Sequence, residues 1–441
     1  MVKWITAAAQ VFIVLLLPYH PLMGWAQTGQ TQTSQLKFVI ILSRHGVRSP
    51  TGKVGKLNLY SAEPWPQWDV PPGHLTARGS QLMTIFGGYD RAYFVQQRLL
   101  FAKGCADTRH VSFIADSDQR TVATGRALAT GMFPDCSVEV QALPRSTPNP
   151  LFHPLAAHVG HPDHAFAAAA VSGRIGDNPA GLVEAYRSSL IEMEKVLLNC
   201  SSEVRCPPEG TLANKSLFSL KSSIGPGTGD HLVDLQGPLS VASTIAEDML
   251  LEYTDGMSDQ NVGWGRLDAA TLNQILVIHT AHAGLLDQTP YIARVQASNI
   301  MSHILATMEQ AVEQKDVAGA LGKPGDKVVF LIGHDTNIAN VAGLLGLSWL
   351  VDGRQDATPP GGALVFEVWS SKERGIYFVR AYYESQTLEQ MRTLVPLSLD
   401  RPPVRANIFL PGCSTQDREY SCKWNEFKQT VKNVIDPAFV Q

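Results

Sequence analysis

The chain has 441 residues, a formal net charge of −4, 44% apolar residues and 17% charged ones. That length exceeds one small core, so two domains, or one domain with a large insertion, are expected. The composition excludes a disordered chain, and the charge excludes an overall basic field directed at nucleic acid or an anionic membrane, so any anion site has to be a local cluster.

Lys3 precedes the apolar run Val11 to Leu17, and Gly24-Trp25-Ala26 precedes the polar Gln27-Thr28-Gly29. A basic start, a short apolar stretch and small residues at the −3 and −1 positions describe a secretory signal over residues 1–26, cut after Ala26. The apolar run falls well short of the ~20 residues that span a bilayer, and no other stretch is long enough. A periplasmic or secreted protein is expected, with no membrane attachment once the signal is removed.

After the signal, Leu36 to Leu42 is short, continuous and rich in β-branched residues, the pattern of a strand buried on both faces of a parallel sheet. Val111 to Ala115 and Lys327 to Ile332 repeat it. Each run ends in a polar cluster followed by a helical pattern, starting near Thr76, Gln119 and Thr336. Between about 145 and 285 strand-like runs vanish, and helical stretches at Leu182–Leu198, Leu239–Tyr253 and Ala269–Leu286 dominate. Ala363 to Trp369 and Ile376 to Tyr383 read as sheet strands again. The expected architecture is an α/β domain with a mainly parallel sheet flanked by helices, built from 27–144 and 286–441, with an all-helical insertion over 145–285.

Six cysteines fall as three close pairs: Cys105 with Cys136, Cys200 with Cys206, and Cys413 with Cys422. Six cysteines permit 15 connectivities, and this pairing rests on spacing alone. None forms a Cys-x-x-Cys motif, and disulfides in an oxidising compartment are the expectation.

In open α/β sheets ligands bind beyond the carboxyl ends of the strands. The first strand delivers Ser43-Arg44-His45-Gly46-Val47-Arg48-Ser49-Pro50-Thr51 to that edge, the second Asp116-Ser117-Asp118-Gln119-Arg120-Thr121, and the third Gly333-His334-Asp335-Thr336-Asn337. Pooled, these segments hold arginines, histidines and an acid. A phosphoryl group in transfer spreads charge over its equatorial oxygens, and guanidinium forks match those oxygens bidentately. A neutral imidazole can attack phosphorus to give a covalent intermediate, and a carboxylic acid can protonate the leaving alkoxide. These groups suffice for the reaction without a metal or cofactor.

Arg44-His45-Gly46-Val47-Arg48-Ser49-Pro50 together with Gly333-His334-Asp335-Thr336-Asn337 resembles the two-part signature of the histidine acid phosphatases, and in particular their bacterial periplasmic acid phosphatase and phytase branch. The likeness extends over nearly all the mature chain, including Leu75 to Gly79, Ala115 to Thr121, Gly263 to Arg266 and the cysteine pairs. It implies His45 as nucleophile, Asp335 as general acid, and Arg44, Arg48, Arg120 and His334 as phosphate ligands. Thr51 matches a position near the phosphate, Arg266 a substrate contact, and Glu247 a possible lining residue of the same cleft. Lys53 stands one place later than the lysine of phytase-like relatives.

The resemblance implies a monomeric phosphomonoesterase acting on a small phosphorylated substrate, either an inositol phosphate or a sugar phosphate. A phosphotransferase or mutase is the alternative, and export argues against it. Asp335 is also of a residue type that caps helices, so capping the helix after Thr336 is a role it can fill beside that of the acid. His153, His158, His161 and His164 are expected to form a solvated loop, and His279 and His282 to be packing or surface residues.

Overall fold

The structure is a computed structural model and describes Met1 and residues 34–200, 207, 209–229, 231–371 and 375–441. Residues 2–26 of the expected signal segment, and Cys206 of the expected Cys200–Cys206 pair, fall outside those described. The first block holds β1 (Ser34–Arg44), α1 (Ala77–Gln96), β2 (Val111–Ala115), α2 (Gln119–Met132) and β3 (Val140–Gln141). Next come α3 (His164–Arg174), α4 (Pro179–Ala185), α5 (Arg187–Leu198), the strands β4 (Ser223–Pro226) and β5 (Val233–Gln236), α6 (Pro238–Thr254), α7 (Ala269–Leu286) and α8 (Pro290–Glu313). The last block opens with β6 (Val328–Gly333), α9 (Asp335–Leu345), and the short pair β7 (Leu350–Val351) and β8 (Arg354–Gln355). It continues through β9 (Ala363–Ser371), β10 (Tyr377–Ser385), α10 (Leu388–Thr393), β11 (Val404–Ile408), β12 (Cys422–Lys423) and α11 (Trp424–Val434).

The main sheet runs β11-β10-β9-β1-β6-β2-β3, with β12 pairing β10. β1, β6, β2 and β3 are mutually parallel, while β9, β10 and β11 add an antiparallel flank. The apolar runs fit because each strand is covered twice. Ile40, Leu42, Val329 and Leu331 face α8 and α9 through Ile300, Met301, Ile304 and Ile338. Their neighbours Val39, Ile41, Phe330 and Ile332 face α1 and α2 through Met83, Phe86 and Leu128. Each such side chain contributes about 1.5–3 kcal/mol on burial. A separate core is built by Leu190, Met193 and Leu197 of α5, Ala246 and Leu250 of α6, and Leu272 and Ile275 of α7.

The expected helix over Leu182–Leu198 is two helices broken at Tyr186, and the β4–β5 hairpin interrupts a region expected to be wholly helical. Cys105 is bonded to Cys136, and Cys413 to Cys422. The described chain from Ser34 to Gln441 forms one compact unit.

Register sets the site. Arg44, at the end of β1, lies opposite Gly333 at the end of β6, and Ala115 at the end of β2 lies opposite Ile332. The residues that follow, His45, His334 and Asp116, therefore emerge side by side at one edge of the sheet.

Candidate active site

His45 is pinned from both sides. Its N–H donates to the Gly333 carbonyl at 3.0 Å, and its own carbonyl accepts from Gly361 N–H at 2.9 Å. The following turn is fixed by Gly46 N–H to Thr124 Oγ1 at 2.9 Å and by Thr76 N–H to Val47 O at 3.0 Å. The N-terminus of α1 packs directly on this turn: a Cβ at Gly79 would sit 2.1 Å from the Val47 carbonyl oxygen, so no side chain fits there. Thr76 caps α1 by accepting from Gly79 N–H at 2.8 Å.

The His45 ring is buried, with Nδ1 2.8 Å from the Gly46 carbonyl oxygen. A carbonyl only accepts, so Nδ1 carries the proton. Burial and the charges of Arg44, Arg48 and Arg120 push the imidazole well below its ordinary pKa. The neutral ring therefore keeps its lone pair on Nε2, the form a nucleophile needs.

Three guanidinium groups surround this ring. Arg44 is fully buried, pairs with Glu247, and lies 3.4 Å from Asp335 Oδ2. Arg48 donates to Ser49 O at 3.0 Å and lies 3.5 Å from Glu247. Arg120 pairs with Asp118 at 2.6 Å and approaches His334 Nδ1 at 3.4 Å. The Nε atoms of all three are buried without a protein partner. Such a concentration of fixed donors at one sheet edge is an anion site.

His334 caps α9, and its ring meets the His45 ring edge-on at 5.6 Å between centroids. Its Nε2 donates to Asp116 Oδ2 at 2.9 Å, and His153 Nε2 donates to the same oxygen at 3.0 Å. Burial opposes ionisation of Asp116, but these two histidines outweigh it and hold the carboxyl well below its usual range. Asp335 opens α9. Its Oδ1 accepts from Thr336 N–H at 3.1 Å while Oδ2 faces Arg44, so one carboxylate serves both the helix end and the cluster. Burial would raise its pKa, yet Arg44, His279 and Arg48 drive it far down.

Beyond this cluster opens a cavity of about 560 Å³. Arg48, Thr51, Lys53, Lys56, His231, Glu247, Asp248, His279, His282, Asp287 and Asp335 carry its polar lining. Glu247, on α6, sits at its base, and Arg44, His279 and Arg48 overcome the effect of burial to keep it ionised. Thr51 lies at the exposed mouth beside Lys53, so the displaced lysine still reaches the cavity wall. Arg266 stands apart. Gly263 and Trp264 take left-handed backbone that turns the segment toward α5, where Arg266 donates to Val196 O at 2.8 Å and pairs with Glu63 at 2.7 Å.

The structure also brings in residues that the sequence reading did not assign to the site. Asp116 and Asp118 belong to the loop after β2, to which the sequence alone assigns no individual role for them. His279 lies 3.7 Å from Glu247 and 4.0 Å from Asp335, on the cavity wall rather than in a core or on an open surface. His153 meets Asp116 rather than forming a solvated loop with its sequence neighbours. Their partners are remote in sequence, and only the short spacing of His279 and His282 on one helix hinted at a common face.

The profile of the histidine phosphatase superfamily (branch 2) matches residues 35–196 and 234–384. Phytase AppA of Escherichia coli (strain K12) is 36% identical over 97% of this chain and 98% of its own length. Glucose-1-phosphatase of Providencia rettgeri is 27% identical over 96% of this chain and 97% of its own. The solved Hafnia alvei phytase in complex with tartrate superposes with a TM-score of 0.84 at 34% identity, covering 93% of this chain and 99% of that one. With this match running through both halves of the sheet and the residues at its edge, the chain belongs to branch 2 of the histidine phosphatase superfamily.

Proposed function

We propose that the chain hydrolyses phosphate monoesters in two steps through a phosphohistidine on His45. Nε2 attacks phosphorus while Arg44, Arg48, Arg120 and His334 hold the non-bridging oxygens, and Asp335 gives its proton to the leaving ester oxygen. Water then attacks the phosphohistidine, Asp335 takes the proton from that water, and inorganic phosphate leaves. The observation that carries this reading is the His45 tautomer: the Gly46 carbonyl and the surrounding arginines leave a neutral ring with its lone pair on Nε2. Asp335 is ionised in the free site, so in this account the substrate enters as its monoanion and supplies the proton that Asp335 passes on.

The proposed substrate class is inositol polyphosphate. Arg48, Lys53, Lys56, His231, His279 and His282 line the cavity away from the attacked phosphate and supply cations for further phosphates. Burial raises the pKa of Asp248 to about 7 and that of Asp287 well above the usual range. Both acids are then neutral in acid solution, and the cavity becomes more positive where the enzyme is proposed to work. A small sugar phosphate is the second reading, favoured by the same two acids as acceptors for sugar hydroxyls. We further propose export and action as a monomer. The two described disulfides support export, and among the described residues no helix is long and apolar enough to cross a membrane.

Phosphate release from phytate, glucose 1-phosphate and an aryl phosphate, compared side by side at acid pH, tests this. Faster release from phytate than from glucose 1-phosphate is expected. The reverse order replaces the substrate class, and no release from any of them refutes the enzyme.

A further inference from the structure

Asp116, Asp118, His153 and His334 each offer one ligand atom, and these atoms all lie within 4.8 Å of one another. We propose that they form a binding site for one divalent transition-metal ion of the zinc type, beside the phosphate cluster and sharing His334 with it.

Three observations carry this. The first is spacing. Ligand bonds of about 2.0–2.1 Å in a tetrahedron place donor atoms about 3.3 Å apart. Here His153 Nε2 and His334 Nε2 stand 3.0 and 2.9 Å from Asp116 Oδ2, and His334 Nε2 stands 3.9 Å from Asp118 Oδ2. An ion replacing the two N–H protons opens the Asp116 contacts by a few tenths of an ångström and draws the wider-spaced donors, which all lie within 4.8 Å of one another, together by up to about 1.5 Å. The second is chemistry. Two imidazole nitrogens with two carboxylates suit zinc or cobalt, whereas magnesium and calcium take oxygen ligands, and two carboxylates neutralise the charge of the ion. The third is an unmet group: Asp116 is wholly buried, and its Oδ1 has no hydrogen-bond partner.

The frame is also prepared. Asn337 accepts the His334 backbone N–H at 2.9 Å and donates to the Phe152 carbonyl at 2.8 Å, tying the two histidine-bearing segments together. Thr121 Oγ1 donates to the carbonyls of Asp116 and Asp118 at 2.8 and 2.7 Å, fixing the two carboxylate-bearing residues. His153 and Asp118 are only partly buried, which leaves a way in for the ion. Such outer contacts hold ligands in place and add to metal affinity.

The test is metal binding, which does not depend on the proposed hydrolysis. Chelator-treated mature protein is titrated with Co2+, followed by visible absorption, and with Zn2+, followed by equilibrium dialysis and by thermal unfolding. The expected result is one ion per chain with a tetrahedral Co2+ spectrum and a rise in Tm on adding Zn2+. His153→Asn removes that spectrum and weakens binding by at least about 100-fold, and Asp118→Asn, at an accessible side chain, weakens it by about tenfold. His303→Asn, outside the group, leaves binding as it was. Equal binding by wild-type and His153→Asn protein, or no stoichiometric binding at all, overturns the site. Because Asp118→Asn alters a partly exposed residue, it still decides the matter if His153→Asn fails to fold.

Discussion

Arg44 and Glu247, 203 positions apart in sequence, form a buried ion pair that joins the end of β1 to α6 beneath the reacting centre. The pair fixes the innermost guanidinium of the proposed phosphate site and holds a carboxylate close to it. In that proposal Glu247 stabilises the site without phosphate and competes with phosphate for Arg44.

Glu247→Gln should separate these two effects. Removing one partner of a buried pair typically costs about 3–5 kcal/mol, since the other charge is left uncompensated. Chemical denaturation should show a loss of that order without phosphate. Inorganic phosphate should inhibit the variant at lower concentration than wild type, because Arg44 and Arg48 lose their internal acceptor. Unchanged stability together with weaker phosphate inhibition would contradict this role.

Asp335→Asn tests proton donation. Alkyl leaving groups need a proton in the transition state, and aryl leaving groups need it much less. General acid catalysis contributes about 10²–10⁴-fold, so kcat on an alkyl phosphate should fall by that order and kcat on an activated aryl phosphate by about tenfold or less. Equal losses on both would remove Asp335 as the acid.

The acids of the cavity make stability depend on pH. Burial raises the Asp248 pKa to about 7, against about 3.9 for an unperturbed aspartate. Between those values the folded chain holds a proton that the unfolded chain has released. Unfolding free energy from this residue therefore falls as pH rises from about 4 to about 7, by at most about 4 kcal/mol. Glu252 and Asp287, also raised chiefly by burial, act with the same sign. The lowered pKa values of the buried His45, His282 and His334 act with the opposite sign over this range, so the contribution of Asp248 is read from the difference between two proteins. From about pH 4 to 7 the denaturant midpoint of Asp248→Asn should gain on that of wild type as pH rises, and an identical pH slope in the two proteins would refute the assignment.

The sheet edge was legible in the sequence because β1, β2 and β6 are buried on both faces and so read as uninterrupted apolar runs. Their register places His45, Asp116 and His334 together, and a strand-end rule suffices to expect that. Thr76 was legible as a helix cap for the same local reason. The β4–β5 hairpin was not: β4 carries glycine and proline and has no fully buried residue, and β5 alternates over only four residues, too short a run to stand out. His153 and His279 carry no sequence signal of their place at the site, because their partners Asp116 and Glu247 are distant in sequence. Glu247 itself sits among the buried apolar residues of α6, where composition gives no sign that a guanidinium is waiting opposite.

In the proposed reaction the phosphoryl group passes through His45. Rapid acid-free quenching of the enzyme during turnover of an aryl phosphate, followed by peptide mapping, tests it directly. A phosphoryl group is expected on the peptide carrying Arg44-His45-Gly46, stable to base and labile to acid, formed in the burst and absent from His45→Ala, which is expected not to turn over. A phosphoryl group on another residue, or full turnover by His45→Ala, would contradict it.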